Sequence, residues 1–147
     1  MTTTKKKVKF SISDHTPLME RATFSLQPIS DCFTRKATFD AMAMGSIPVV
    51  FDRRSFDLPW FAPNPEVFAV IIDTHVWNIS STENIFDVLS RIPQERVTQM
   101  QRSIADAAMR FHYAADRESC GGEPCHDAYE VAIENLCQLS RNAASIR

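Results

Sequence analysis

The amino-acid sequence predicts an α/β fold, in which a small parallel sheet is flanked by helices and the C-terminal part is helical. Three observations predict it. Residues 24–51 have the pattern of a strand, a polar loop, a helix, a glycine stop and a second strand, which is a βαβ unit. A further apolar run at residues 67–72 is typical of a buried strand. Helical periodicity then dominates the chain from about residue 80 onward.

The first half of the βαβ unit is defined by its punctuation. The short extended run at residues 24–27 ends at Pro28, which has no N–H to donate to a sheet. A loop follows, in which Ser30 or Asp31 is a candidate N-cap for the next helix. The spacing predicts that helix over residues 33–44, with an apolar stripe at every third or fourth position: Phe33, Ala37, Ala41 and Met44.

The second half of the unit begins at Gly45, where the helix is predicted to end. Glycine adopts the left-handed conformation that a C-terminal helix cap requires. Ile47 is held extended by Pro48, because the residue before proline disfavours the helical region. The apolar run at residues 48–51 that follows is typical of a strand buried in a parallel sheet.

The remaining elements are predicted from periodicity and capping signals. Thr16 and Pro17 are expected to open a short helix that ends at Arg21. Residues 52–65 are rich in Asp, Arg and Pro and are predicted to be a loop anchored by Leu58, Trp60 and Phe61, with Trp60 alternatively lining a pocket. Three more helices are expected: one capped at residues 80–83 with Ile85, Val88, Leu89 and Ile92 on one face, one starting at Pro93 with Val97, Met100, Ile104, Ala107 and Phe111 on its stripe, and one over residues 127–141 that includes Val131, Leu136 and Leu139.

Composition limits the classes of function. A chain of 147 residues with 44% hydrophobic residues is expected to form one packed domain, at residues 16–147, after a flexible tail at residues 1–15. The net charge of −2 offers no electrostatic basis for binding nucleic acid. No stretch approaches the roughly 20 apolar residues of a transmembrane helix, so no membrane segment is predicted.

The four cysteines leave their redox state open. Cys120 and Cys125 flank a short loop that could close as a disulfide, stay reduced, or supply part of a metal site together with His126. Paired four-ligand zinc spacing is absent, so the sequence predicts no metal. Asn78 begins an N-glycosylation pattern that would matter only in a lumenal protein.

Arg35 is the most informative candidate for binding. It falls at the predicted start of the helix, where the macrodipole makes a cation unfavourable unless an anion is bound. Free N–H groups there, the Thr34 hydroxyl and the Arg35 guanidinium would together hold a diphosphate. The alternative is a surface arginine paired with Asp31. Asp40 has two similar interpretations: an exposed ion pair with Lys36 at i,i+4, or a hydrogen-bond acceptor for ribose hydroxyls.

Catalytic machinery is not visible in the sequence. His15, His75, His112 and His126 share no spacing that indicates a triad or a metal site. No nucleophile elbow, Walker loop or dinucleotide fingerprint is present. The catalytic residues therefore stay unknown.

The ordered motifs of this chain resemble the donor-binding core of exostosin-family glycosyltransferases, in the plant and algal branch that includes xyloglucan galactosyltransferases. Five motifs carry the resemblance, and Leu58-Pro59, the strand at residues 67–72 and the run at residues 89–100 also follow the family's order. The resemblance therefore extends from about residue 17 to residue 113. The motifs are Leu26-Gln27-Pro28, Ser30-Asp31-Cys32, Thr34-Arg35, Phe39-Asp40-Ala41 and Gly45-Ser46-Ile47-Pro48-Val49.

The resemblance implies a Rossmann-like half of a GT-B enzyme that binds a nucleotide-diphosphate sugar, expected to be a UDP-sugar, for inverting transfer to a glycan acceptor. By this resemblance Arg35 would bind the diphosphate and Asp40 the ribose, with Ser30, Asp31 and Thr34 shaping the loop. No metal cofactor is expected, and the family implies the Golgi lumen or membrane. Ser30 and Ser46 depart from the glycine and cysteine that the family usually has there.

The resemblance also leaves alternatives. The family's N-terminal acceptor domain and membrane anchor have no counterpart here, so a fragment or a short paralogue is expected. Such a chain could be a donor domain, a non-catalytic nucleotide-sugar-binding accessory module, or a plain α/β interaction domain. Binding of UDP without robust turnover by this chain alone is the expectation.

Overall fold

The computed structural model describes residues 12–57, 61–72, 84–115 and 126–144. Within these ranges three strands and five α-helices alternate with three short 3-10 turns. The strands are β1 (Phe24–Gln27), β2 (Ile47–Val50) and β3 (Val70–Ile71). The helices are α1 (Ile12–Arg21), α2 (Lys36–Ala43), α3 (Ile85–Ser90), α4 (Gln94–Ala107) and α5 (Ala128–Ala144), and the 3-10 turns are Arg53–Phe56, Pro65–Val67 and Ala108–Phe111.

The predicted parallel sheet is confirmed. Its strands lie in the order β1-β2-β3, and both pairings are parallel. Phe24 is paired with Ile47 at one end of the first ladder, and Val49 with Val70 in the second. Because parallel strands need a crossover connection, α2 bridges β1 and β2. The α/β prediction holds, and the arrangement is consistent with one Rossmann-like half.

The glycine stop is confirmed in detail. Gly45 has a φ of 76°, the left-handed conformation that favours glycine. Its N–H donates to the Met42 carbonyl at 2.9 Å, and the Ser46 N–H donates to the Ala41 carbonyl at 2.9 Å. These two bonds form a Schellman motif, which ends α2 and turns the chain into β2.

Two helix starts differ from the predictions. α2 begins at Lys36 rather than at residue 33, and its N-cap is Arg35 rather than Ser30 or Asp31. Phe33 therefore lies in the loop, and α2 buries Thr38, Ala41 and Met42. In α1, Pro17 lies inside the helix and does not open it. Proline at this position removes one i→i−4 hydrogen bond of α1, and the helix continues around it.

Two further bounds are corrected. β3 covers only Val70–Ile71, because a 3-10 turn occupies Pro65–Val67. α3 is capped by Asn84, whose side chain accepts the Asp87 N–H in a capping box. The predicted cap at residues 80–83 lies outside the described residues. A side-chain acceptor one position before the first helical residue decides the start of α3.

The core lies between the sheet and α4. All four residues of β2 are buried, and Met42 from α2 packs on the same cluster as Val97, Met100 and Ile104 from α4. The predicted stripe of α4 is thus confirmed, with Ala107 and Phe111 packed against the cluster. α4 is also positioned as predicted, since Pro93 is its N-cap.

Helix α5 is held at its N-terminal end. The Ala128 N–H donates to the His112 carbonyl at 2.9 Å, and Val131 is buried. Leu136 and Leu139, both among the predicted apolar positions, are about half exposed. Among the described residues, α5 therefore packs on the domain through its first turns.

Several predictions fall outside the described residues. They concern Leu58, Trp60, Asn78, His75, and the loop between Cys120 and Cys125. The division into a tail at residues 1–15 and a domain at residues 16–147 stays a prediction. Among the helices that the structure describes, none has the length and hydropathy needed to cross a bilayer.

Candidate donor-binding loop

The candidate site is the loop of residues 28–35, which leaves the carboxyl end of β1 and enters α2. Arg35 occupies the N-cap position with extended backbone angles, φ −122° and ψ 138°, and no side chain among the described residues caps the helix. The first turn of α2 contains no acidic residue. The helix therefore begins with backbone N–H donors and a positive dipole that no side chain neutralises.

The Arg35 side chain joins the two ends of this loop. Its Nη1 donates to the carbonyl of Pro28 at 2.8 Å. The side chain also lines a cleft of about 470 Å³, bordered by α1, β1 and the start of α2. The sequence also allowed an ion pair between Arg35 and Asp31, but the structure describes both residues and shows no such pair. Ser30 and Asp31 are exposed.

Thr34 joins the candidate loop to the next one along the chain. Its Oγ1 donates to the backbone carbonyl of Ser55 at 3.4 Å. Ser55 belongs to the 3-10 turn Arg53–Phe56, which follows β2. The two loops at the carboxyl ends of β1 and β2 are thus in contact, at the edge where parallel α/β sheets bind ligands.

Asp40 takes the simpler of its two predicted roles. Both of its carboxylate oxygens accept from Lys36 Nζ, at 2.6 and 2.8 Å. The Asp40 side chain is 42% exposed and that of Lys36 is 86% exposed, so the ion pair lies on the surface. Arg35 turns toward Pro28 while Asp40 turns toward Lys36, so the structure does not bring Arg35 and Asp40 together. Contact with ribose stays a prediction.

Sequence reasoning missed the partner of Phe33. The guanidinium carbon of Arg54 lies 3.8 Å from the centroid of the Phe33 ring, a cation–π contact. Asp52, which is buried, holds Arg54 by accepting from its Nε at 2.9 Å and its Nη2 at 2.6 Å. One signal could have found this group: an Asp and two Arg directly after a buried parallel strand lie at the ligand-binding edge.

A second ion pair involves Arg53, the residue next to Arg54 in the chain. Arg53 is paired with Glu66 near β3. The backbone N–H of Glu66 and the side chain of Arg53 hold the pKa of the Glu66 carboxyl below its ordinary value. The two neighbouring arginines thus have separate acidic partners, Glu66 for Arg53 and Asp52 for Arg54.

Metal ligands are not grouped in the described part of the chain. No set of three or more His, Cys, Asp or Glu side chains there is arranged to hold an ion. Cys32 and Cys137 are exposed free thiols.

The chain is similar in sequence to three Arabidopsis thaliana proteins named as xyloglucan galactosyltransferases. It is 39% identical to xyloglucan galactosyltransferase XLT2 over 116 residues, which is 77% of this chain and 22% of that protein. It is 34% identical to probable xyloglucan galactosyltransferase GT19 over 134 residues, 85% of this chain and 31% of the relative. It is 32% identical to probable xyloglucan galactosyltransferase GT15 over 125 residues, 82% of this chain and 26% of the relative.

The chain belongs to the exostosin-like family of xyloglucan glycosyltransferases. As a member of this glycosyltransferase family, it spans between about a fifth and a third of the length of these curated relatives. No protein-family model matches the chain. No solved structure matches it significantly either.

Proposed function

We propose that this chain binds the diphosphate of a UDP-sugar at the loop of residues 28–35 and acts as the donor-binding part of a xyloglucan-directed glycosyltransferase. In this proposal Arg35 binds the diphosphate and Asp40 the ribose. Ser30, Asp31 and Thr34 shape the loop around the donor. The compartment proposed for this activity is the Golgi lumen, as in the resemblance described above.

The observation that carries the proposal is the uncapped start of α2. Two basic residues, Arg35 and Lys36, occupy its first positions, and no carboxylate is present in its first turn. Each cation at the positive end of a helix costs about 0.3–1 kcal/mol in exposed positions. A bound diphosphate reverses that cost, because it accepts from the backbone N–H groups and offsets the positive charge.

The geometry of Arg35 supports phosphate binding. A guanidinium carries five N–H donors in a planar fork, and the bond to the Pro28 carbonyl occupies one of its nitrogens. That bond fixes the group between the two ends of the loop, so the other donors are presented with little further loss of side-chain entropy. The neighbouring Lys36–Asp40 pair is exposed, and such pairs rearrange at small cost. Asp40 is therefore able to exchange Lys36 for ribose hydroxyls.

The proposed chemistry is transfer with inversion. A base removes the proton from an acceptor hydroxyl as its oxygen attacks the anomeric carbon, and the bond from that carbon to the diphosphate oxygen breaks. The electron pair leaves with UDP, where Arg35 and the N-terminus of α2 stabilise the charge. Among the described residues none is assigned as the base. The protein's own contribution in this proposal is to bind the leaving group.

The first test is titration of the purified chain with UDP and UDP-galactose by calorimetry. We expect saturable binding that Arg35→Ala weakens by about tenfold or more, since a hydrogen bond to a charged group contributes about 1.5–3 kcal/mol. Arg102→Ala is the matched control, because Arg102 is an exposed arginine on α4. Equal binding by wild type and Arg35→Ala, or no binding at millimolar UDP, would contradict the proposal.

A second candidate function is a non-catalytic accessory module that binds the nucleotide sugar. It uses the same donor-binding loop, and among the described residues none is assigned as the catalytic base. Transfer from UDP-galactose to a xyloglucan oligosaccharide, followed by mass spectrometry, separates the two. UDP binding without a product of higher mass is the expected result for this chain alone, and a galactosylated product assigns the transferase function directly.

A further inference from the structure

The candidate loop and the loop after β2 are joined by two contacts on adjacent residues. The Phe33 ring stacks on the guanidinium of Arg54 at 3.8 Å. The Thr34 hydroxyl donates to the Ser55 carbonyl at 3.4 Å. Both contacts involve residues immediately before Arg35, the N-cap of α2. The end of the candidate loop is therefore held against the end of β2.

The orientation of Arg54 is fixed by Asp52, independently of Phe33. Asp52 Oδ1 accepts from the backbone N–H of Arg54 at 2.8 Å and from its Nε at 2.9 Å, and Asp52 Oδ2 accepts from Nη2 at 2.6 Å. The carboxylate itself is buried, with only 3% of Asp52 exposed. Two parallel bonds from one edge of a guanidinium fix its plane, which a lysine ammonium cannot reproduce.

Phe33 belongs to neither α2 nor the core cluster. Its side chain is 39% exposed. The face of a guanidinium is a favourable surface for an aromatic ring, because the ring quadrupole attracts the cation. The planar Arg54 group is thus the platform on which the end of the loop is held.

We propose that Arg54 is a positioning residue for donor binding, which acts through Phe33 to hold the loop of residues 28–35 in its binding conformation. The inference rests on the proposed function, since the loop it positions is the one proposed to bind the diphosphate. A loop that is already ordered loses less conformational entropy when it binds its ligand. The chain from buried Asp52 through Arg54 to Phe33 supplies that order from the neighbouring strand.

The role predicts a specific pattern of variants. Arg54→Lys keeps the charge but loses the planar fork, and Phe33→Leu keeps an apolar side chain but loses the ring. Each is expected to weaken UDP binding by about two- to fivefold, the equivalent of an exposed cation–π contact. Phe33→Tyr retains the stack and is expected to bind like wild type. Arg53→Lys is the matched control, because Arg53 is paired with Glu66 and not with Phe33.

The experiment combines calorimetry with UDP, amide hydrogen exchange of residues 29–35, and thermal unfolding of each variant. The expected result is weaker binding and faster loop exchange in Arg54→Lys and Phe33→Leu. The melting temperature is expected to stay unchanged in Phe33→Leu and to fall in Arg54→Lys, because buried Asp52 loses part of its two-point contact. The double variant is expected to bind no worse than either single one, since the two residues act as one unit.

The outcomes separate this inference from the proposed function. Wild-type binding of UDP together with unchanged binding and exchange in both variants overturns the inference and leaves the proposed function standing. Additive losses in the double variant also overturn it, because Arg54 would then act independently of Phe33. Failure of wild type to bind UDP removes the proposed function, and the positioning role falls with it.

Discussion

Strand β2 and helix α5 place the same kinds of apolar residue in opposite environments. All four residues of β2 are buried. On α5 only Ala128 and Val131 among the apolar residues are buried, whereas four large side chains are between 42% and 63% exposed: Tyr129, Ile133, Leu136 and Leu139. The comparison shows that an apolar stripe identifies a face that is able to pack, but does not show whether this domain covers it.

The difference has a structural cause. β2 is the middle strand, with β1 and β3 on its two edges and α2 and α4 against it. α5 meets the rest of the domain near its first turns, next to the 3-10 turn at Ala108–Phe111. The burial of β2 and the exposure of α5 therefore follow from the number of neighbouring elements that each one has, and not from its hydropathy.

The largest expected effect comes from truncating one apolar side chain in each of the two elements and comparing the changes in the free energy of unfolding. Ile47→Ala in β2 is expected to lower the free energy of unfolding by about 2–5 kcal/mol, because it leaves a cavity in the core. Leu136→Ala on α5 is expected to change it by no more than about 0.5 kcal/mol. Urea unfolding followed by circular dichroism measures both. A large cost for Leu136→Ala would mean that the exposed stripe is covered in solution.

A second prediction concerns the residue that attaches α5. The buried Asp127 carboxylate accepts from the backbone N–H groups of Ala114, Tyr129 and Glu130, at 3.0, 2.9 and 3.1 Å. Asp127→Ala is expected to lower the melting temperature and to speed amide exchange throughout α5, because three donors lose their acceptor. Glu134→Ala, an exposed carboxylate on the same helix, is the control. Unchanged exchange in α5 would show that other contacts hold the helix.

The same carboxylate gives a pH dependence with a defined sign. The N–H of Ala114, followed by that of Glu130, holds the pKa of Asp127 below its ordinary value. The stabilisation is complete above the ordinary aspartate pKa of about 3.9 and shrinks as the pH falls toward the lowered folded-state pKa, below which it is lost. The stability gap between wild type and Asp127→Ala should therefore narrow between neutral pH and about pH 3. A gap that widens on acidification would contradict this assignment.

The smallest expected effect is a gain in stability next to β2. Ser46 is fully buried, and its hydroxyl has no hydrogen-bond partner within the part of the chain that the structure describes. Ser46→Ala is expected to raise the free energy of unfolding by about 1 kcal/mol, since an unsatisfied buried hydroxyl is destabilising. Ser140→Ala on the exposed part of α5 is the control, and urea unfolding is the measurement. A loss of stability in Ser46→Ala would mean that the hydroxyl is satisfied in solution.

The candidate site was predictable in part. The sequence located the loop before α2 and included the Lys36–Asp40 pair as one of two alternatives for Asp40, because both depend on residues a few positions apart. The predicted apolar stripe of α2 included Phe33, yet Phe33 lies before the helix and stacks on Arg54. Periodicity could not exclude Phe33 from the helix, since the spacing fits a turn that the chain does not form.

By itself the sequence determined the elements that local stereochemistry controls. Pro28 follows the last residue of β1, Gly45 takes the left-handed cap of α2, and Pro93 caps α4. These outcomes depend on backbone angles and hydrogen bonds within one or two turns, so nearby residues decide them.

Only the tertiary structure decided which distant groups meet. It placed Arg54 under Phe33 and the Ser55 carbonyl against Thr34. It also covered β2 while leaving Leu136 exposed on α5. Such contacts join residues far apart in the chain, and they depend on how parallel strands align their carboxyl ends and on which faces find a neighbour. The sequence pattern shows which faces are apolar, and tertiary packing determines which of those faces are buried.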